Sequence, residues 1–311
     1  MDITLLLRST YLGLATLVLG IYAIPPLRTR FMSYGARQDP LKTPQKPTGR
    51  DGKGNLLTAL LDQVANICVP HSWFASFYAV SVCCSLYWAA ELMFGGPTLV
   101  AASQLQVARS QSMTFKQVQV AWLMMLAQGS RRLFECLILS KPSQSQMWVG
   151  HWVLGIMFYV CTNVAVWIEG ISAIESHVFS SRDMTFSPPS FRAFAGFLIF
   201  VLASGFQHDC HAYLASLKGR GKGATATYRM PDHPAWNVSL TPHYFAECLI
   251  YLAIAIVAAP QGHNLNVTML CALIFVAVNL GVTADGTKKW YTQKFGVEQT
   301  NGRARMVPFI Y

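Results

Sequence analysis

The sequence predicts an all-α polytopic integral membrane protein with about seven transmembrane helices. Three observations predict it. The 311-residue chain is 53% hydrophobic and only 12% charged, whereas soluble domains carry about 25% charged residues. Its apolar residues are gathered in long runs rather than spread at the period of an amphipathic helix or strand. Seven of these runs approach the roughly 20 residues that a helix needs to cross the hydrocarbon. A soluble fold of this composition, with a mean hydropathy of +0.34, would have a core and no surface to cover it.

The runs fall at 4–26, 74–97, 113–139, 146–171, 190–216, 242–260 and 266–290. The first, with "LGLATLVLGIYAIPPL", resembles the apolar part of a signal peptide. It lacks a basic segment before it and is followed by basic residues, so it reads as a retained span. The next segment, "RTRFMSYGARQDPLKTPQKPTGRDGKG", is rich in Pro, Gly and basic residues and reads as an extramembrane loop. Residues 1–66 therefore form one span and a basic loop, and residues 67–311 form a six-span domain with a tail. A second polar loop, "KGRGKGATATYRMPDHPAWNVSL", precedes the sixth span. Its glycines and lysines could cradle a phosphate, but no strand precedes it and it reads rather as a flexible linker.

Basic residues set the orientation. Three regions hold most of them: Arg28, Arg30, Arg37, Lys42, Lys46, Arg50 and Lys53; Lys218, Arg220, Lys222 and Arg229; and Lys288, Lys289, Lys294, Arg303 and Arg305. The intervening loops hold only Arg109, Lys116 and Arg182. The bias predicts a lumenal amino terminus and a cytosolic carboxy terminus. It also assigns the net charge of +10 to the membrane surface rather than to nucleic acid. The eight cysteines form no CxxC pair and read as small buried hydrophobes. Of two glycosylation sequons, Asn237-Val-Ser239 falls in a cytosolic loop and Asn266-Val-Thr268 hugs the membrane, so neither is expected to be used.

Ionisable groups within spans are costly and mark function. The third span carries Arg131, Arg132 and Glu135 in "GSRRLFECL", where Arg132 and Glu135 can pair along one face. The fifth carries "FQHDCHAYL": Gln207 and His211 lie one turn apart, with His208 and Asp209 expected to face elsewhere. Two histidines three residues apart do not complete a zinc site, and no metal is expected. The sixth places His243 and Glu247 on one face, and Glu247 lies a turn deeper than the helix start explains. Glu169, at the end of the fourth span, reads as snorkelling to water. The polar groups of the third, fifth and sixth spans thus share the cytosolic half, suiting a polyanion from the cytosol and an apolar compound from the bilayer.

In order along the chain, "YRMP", "TPHYFAECLIY", "WYTQKF" and the closing "RARMVPFIY" resemble the steroid 5-alpha-reductase family. Upstream, "VPHSWFASFYAVSV" and "SRRLFECLILS" resemble its polyprenol reductase branch more than its steroid branch. The resemblance covers residues 67–311, which it makes a reductase domain of seven-helix type that binds NADPH between spans in the cytosolic half. It implies Gln207, His211, Lys218, Tyr228, Arg229, His243, Glu247, Asn279, Lys288, Tyr291 and Arg303 as cofactor-binding positions. The family's Gln-Glu pair after the tryptophan is here Ser76 and Phe77, its third-span tyrosine is Gly129, and a histidine is replaced by Lys288. The steroid-carbonyl clamp is therefore missing.

The implied reaction is NADPH-dependent reduction of the α-isoprene double bond of a polyprenol or polyprenal to the dolichol level, in the endoplasmic reticulum, for N-glycosylation. Hydride needs an electron-poor carbon. An enal provides one and an allylic alcohol does not, so the aldehyde is the expected electrophile. The branch-specific segments nominate Tyr78, Glu135 and Arg132 as catalytic, with Tyr78 the first choice as donor to the carbonyl oxygen. Trp73, Phe74, Trp122 and Phe134 are expected along a bound polyisoprenoid, though an interfacial aromatic belt explains such residues equally well. An isoprenylcysteine- or phospholipid-type membrane methyltransferase and a sterol double-bond reductase are the rival readings.

Overall fold

The computed structural model describes residues 2–32, 56–106, 112–140, 145–178, 180, 183, 185, 188–217 and 229–311. Helix α1 spans Ile3–Ala23 and is capped by Asp2, whose carboxylate accepts from the Thr4 and Leu5 amides. It ends because Ile24 precedes two prolines and adopts an extended conformation; Pro25 then opens the short α2, Pro25–Phe31. Helix α3, Leu56–Ala65, leads into strand β1, Cys68–Pro70, and a 3-10 turn over His71–Phe74. Helix α4 covers Ala75–Phe94 and closes on Gly95, which sits at φ 61° where a side chain would be strained. The short α5 follows at Pro97–Leu105.

Helix α6, Phe115–Ile138, begins at a capping box in which Thr114 and Gln117 satisfy each other's backbone amides. Strand β2, Gln146–Trp148, pairs antiparallel with β1, with Val69 opposite Met147. It runs directly into α7, Val149–Ala165. Helices α8 (Ile171–Glu175), α9 (Phe191–Leu217), α10 (Pro234–Val238), α11 (Pro242–Val257) and α12 (Val267–Phe295) complete the chain.

Among the described residues, five helical segments are long and apolar enough to cross a membrane: Ile3–Ala23, His71–Phe94, Val149–Glu175, Phe191–Leu217 and Val267–Phe295. Two expected spans fall short of that standard. The 24-residue α6 carries Lys116, Arg131, Arg132 and Glu135, and α11 is apolar but has 16 residues. The chain is nonetheless a multi-pass membrane protein of the predicted all-α class, and its outward faces show Leu17, Leu86, Leu123 and Leu202. The fourth run is not one continuous helix: α7 stops at Ala165, and a 3-10 turn at Ile168–Gly170 redirects the chain.

Helix α11 packs between α9 and α12, α1 lies along α12, and α4 bridges α6 and α7. Small residues permit the closest approaches. A Cβ on Gly196 of α9 would come 2.8 Å from Val257 of α11, and one on Gly129 of α6 would come 2.9 Å from Ser81 Oγ of α4. The core is aromatic at its centre. Phe158 makes edge or tilted contacts with Tyr11, Tyr251 and Phe275, and Tyr159 meets Tyr78 with ring centroids 5.3 Å apart.

At one end of the bundle, Glu169 is buried and accepts from Arg8 at 3.0 Å and from the Thr268 hydroxyl at 2.6 Å. This corrects the snorkelling reading: the carboxylate clasps α1 to the start of α12 instead of reaching water. Asn266 caps α12 from a fully buried position and donates to the Ala258 carbonyl at 3.0 Å, so its sequon is enclosed by protein. All eight cysteines are free.

Candidate active site

The opposite end holds most of the candidate site residues, because α6 and α9 finish there and α11 starts there. The site is built around Glu135, whose side chain is 2% exposed. Glu135 pairs with Arg131 one turn away and with Arg132 three residues away. From α9, His211 Nδ1 approaches its Oε2 at 2.7 Å and His208 Nδ1 its Oε1 at 2.9 Å. His208 therefore does not face elsewhere, as the wheel position suggested. The hundred-degree offset from Gln207 still lets its ring reach across to α6.

Arg132 extends the cluster to α4. Its Nε and Nη2 donate to the Tyr78 hydroxyl oxygen at 3.2 and 2.9 Å, and its guanidinium lies 4.8 Å over the Tyr78 ring. Arg131 extends it the other way, donating to Gln128 at 2.7 Å and to Gln207 at 2.5 Å. Gln207 and Gln128 in turn donate to Glu247 Oε2 at 2.5 and 3.1 Å. Four helices thus share one connected network. With both carboxylates ionised, its two glutamates balance its two arginines, which removes much of the penalty for burying charge in an apolar bundle.

The carboxy-terminal tail closes over the start of α11. The Leu240 amide donates to the Ala304 carbonyl and the Ala304 amide to the Val238 carbonyl, each at 2.9 Å, and the Thr241 hydroxyl donates to the Arg305 carbonyl at 2.6 Å. This stitching brings the tail beside His243, whose ring lies 5.4 Å from that of His211 and 6.2 Å from that of Trp236. Among the described residues, His243 Nδ1, Arg131 Nε and Arg303 Nη1 are buried polar atoms with no hydrogen-bond partner. No group of three or more His, Cys, Asp or Glu among those residues is placed to hold a metal ion.

Comparison with known proteins gives this arrangement a context. Residues 145–311, more than half of the chain, match the family model described as 3-oxo-5-alpha-steroid 4-dehydrogenase. The chain belongs to the 3-oxo-5-alpha-steroid 4-dehydrogenase family. Membership makes it an oxidoreductase acting on CH–CH bonds. Among its relatives, a polyprenal reductase from Homo sapiens is 25% identical, with 78% of each chain covered. One from Mesocricetus auratus is also 25% identical over 78% of this chain and 79% of the relative. The Saccharomyces cerevisiae polyprenal reductase is 24% identical across 97% of this chain and 92% of its own length. Within the family, the chain is therefore similar to the polyprenal reductase branch.

In this member of the 3-oxo-5-alpha-steroid 4-dehydrogenase family, the structure unites some sequence-nominated residues and separates others. Tyr78, Arg132, Glu135, Gln207, His211 and Glu247 form the network, with His243 against it. Tyr291 is buried and adjoins Trp236. Lys288 donates to the Arg303 carbonyl at 2.7 Å, which ties α12 to the tail. Asn279 lines a separate cavity of about 370 Å³ with Tyr22, Arg28, His151 and Lys289. Arg229 is exposed, outside the network, and Lys218 and Tyr228 lie outside the described residues. Among the aromatic candidates, Phe74 meets the Tyr78 ring at 5.7 Å, while Trp73 and Phe134 are 46% and 56% exposed on the outer surface. Trp122 donates to the Ser85 carbonyl at 2.8 Å and serves the α4–α6 contact.

The departures from the steroid branch have visible structural uses. Ser76 accepts from the Trp152 indole at 2.9 Å, and Phe77 fills the space that a Cβ on Gly155 would occupy, 2.7 Å away. Gly129 lets α4 and α6 touch. Gln128 and the bridging role of Arg131 escaped the sequence reading. The signal for Gln128 was an amide one turn before Arg132 on a face otherwise lined by Ala121, Met124 and Met125.

Proposed function

We propose that this chain uses NADPH to reduce the α-isoprene double bond of a polyprenal, giving a dolichol-type product for dolichol-linked protein N-glycosylation. The reaction takes place at the endoplasmic reticulum membrane, with the amino terminus lumenal and the carboxy terminus cytosolic. One observation carries the reading: a buried, charge-balanced network ending on a tyrosine hydroxyl sits at one end of an apolar bundle, in a chain whose relatives are named polyprenal reductases. When bound, NADPH supplies hydride to an electron-poor carbon.

Gln207, His211, His243, Glu247, Tyr291 and Arg303 are the described residues that would hold it. The unpartnered atoms on His243, Arg131 and Arg303 support that fit, since a buried polar atom without a partner is costly unless a ligand satisfies it. Lys218, Tyr228, Arg229, Asn279 and Lys288 remain in the proposal as cofactor-binding positions on the strength of the sequence resemblance alone.

Tyr78 serves the carbonyl end. Its oxygen already accepts two N–H groups from Arg132, so its own hydrogen is left to donate to the aldehyde oxygen, where charge develops. The two donated bonds also stabilise charge on the phenol oxygen and strengthen it as a donor. Glu135 accepts from two guanidinium groups, which suits a carboxylate rather than a carboxylic acid. Its role is to hold Arg132 and His211 in place. The polyisoprenoid tail extends from Phe74 toward the lipid-facing Trp73 and Phe134.

Lipid profiling of a deletion strain tests the function. The expected result is accumulation of fully unsaturated polyprenoids with loss of dolichols, restored by this chain. Unchanged dolichol levels would overturn it. Thermal protection of the solubilised protein by NADPH, and none by S-adenosylmethionine, separates the reductase from the methyltransferase reading.

A further inference from the structure

Helix α3 buries none of its residues, although half of them are large and apolar. At 100° per residue, Leu56, Leu57, Leu60, Leu61 and Val64 fall within one sector, while Thr58 and Asp62 fall on the opposite side. Leu56, Leu57, Leu60 and Val64 are all exposed.

The contacts that fix α3 come from its polar side and its backbone. Asp62 accepts from Arg30 Nε of α2 at 2.6 Å, and the Val64 carbonyl accepts from the Trp148 indole at 2.9 Å. These tethers set the rotation of the helix and hold the stripe outward. Further exposed apolar side chains follow along the chain at Ile67 and at Trp73, in the candidate span His71–Phe94. The stripe is thus an extension of the surface that the spans present to lipid, placed where the chain enters the membrane. On the polar side of α3, Arg30 of α2 meets Asp62 and is of the side-chain type that anionic head groups attract.

We propose that α3 lies flat in the interface of the bilayer, its Leu56–Val64 stripe set into the acyl-chain boundary and its Thr58 and Asp62 side facing head groups and protein. The occupant of the apolar face is phospholipid. The helix runs through β1 into the turn at His71–Phe74 and then α4, which carries Tyr78. Anchoring α3 therefore sets the depth at which Tyr78 and Phe74 stand relative to the leaflet.

The test uses the full-length protein reconstituted in phosphatidylcholine–phosphatidylserine vesicles. A coumarin-bearing amino acid is placed at Leu60 in one preparation and at Thr58 in another. Quenching is read with lipids brominated on the upper acyl carbons and with aqueous iodide. For a helix lying in the interface, lipid quenching at Leu60 should exceed that at Thr58 by roughly threefold or more, with the iodide order reversed. Equal iodide quenching at both positions would place the stripe in water and overturn the proposal. Protection from both quenchers at Leu60 would mean that protein covers the face, either a second copy or another part of the chain, and would overturn it equally.

Discussion

Replacing Tyr78 with Phe separates the chemistry at the carbonyl end from everything else the side chain does. The ring is retained, and with it the contacts to Phe74 at 5.7 Å, to Tyr159 at 5.3 Å and to the Arg132 guanidinium at 4.8 Å. Only the hydroxyl is lost. Two N–H groups of buried Arg132, at 3.2 and 2.9 Å, lose their acceptor, at a cost of about 1–3 kcal/mol in stability. Arg132 still pairs with Glu135 and approaches His211 Nδ1 at 2.8 Å, which keeps it in place. Losing one donor to a developing oxyanion typically lowers kcat by about 10²–10³, or roughly 2.7–4 kcal/mol. The assay is NADPH oxidation by purified protein with polyprenal, alongside direct titration of NADPH. The expected result is that fall in kcat with NADPH affinity held within about twofold, since the Tyr78 hydroxyl bonds to Arg132 and not to Gln207 or Glu247. A kcat within about threefold of the parent would refute the donor assignment.

Glu247→Gln removes the charge that Gln207 and Gln128 address at 2.5 and 3.1 Å. Because hydrogen bonds to a charged group contribute about 1.5–3 kcal/mol, isothermal titration should show NADPH binding weakened by at least tenfold. Gly129→Val would drive a side chain into Ser81 Oγ, 2.9 Å from the first added carbon. Its thermal midpoint should fall by an amount equivalent to about 1–3 kcal/mol, the usual cost of overpacking. Glu169→Ala strands Arg8 and the Thr268 hydroxyl at the far end of the bundle. It should destabilise by about 3 kcal/mol, as broken buried pairs do, while turnover per folded molecule, scored by active-site titration, stays at the parental value.

The helical class could be read from the sequence because composition dominates it: long apolar runs leave a bundle as the only structure whose backbone is satisfied in lipid. Local chemistry sets helix ends at Pro25 and at the Thr114–Gln117 box, within a few residues of the apolar runs' own limits at 26 and 113. The break after Ala165 was not legible, because Val166, Trp167 and Ile168 carry the apolar run past the point where the helix stops. The same limit applies to the site. Glu247, Gln207 and His211 stood out because each is a polar group in an apolar helix. The pairings between helices did not: Glu169 finds Arg8, which is 161 residues distant, and His208 finds Glu135, which is 73 away. A helical wheel records direction from one axis, whereas these contacts depend on where the neighbouring axis lies. The tail's return to α11 through Ala304 and Arg305 is likewise a tertiary fact that carries no pattern of its own.

The most direct measurement follows NADPH consumption and product mass together, using purified protein given either polyprenal or polyprenol as sole acceptor. The expected result is one NADPH oxidised per α-saturated aldehyde formed from polyprenal, and no oxidation with aldehyde-free polyprenol. Saturation of polyprenol with no aldehyde present or formed, or turnover of polyprenal that needs no NADPH, would contradict the proposed chemistry.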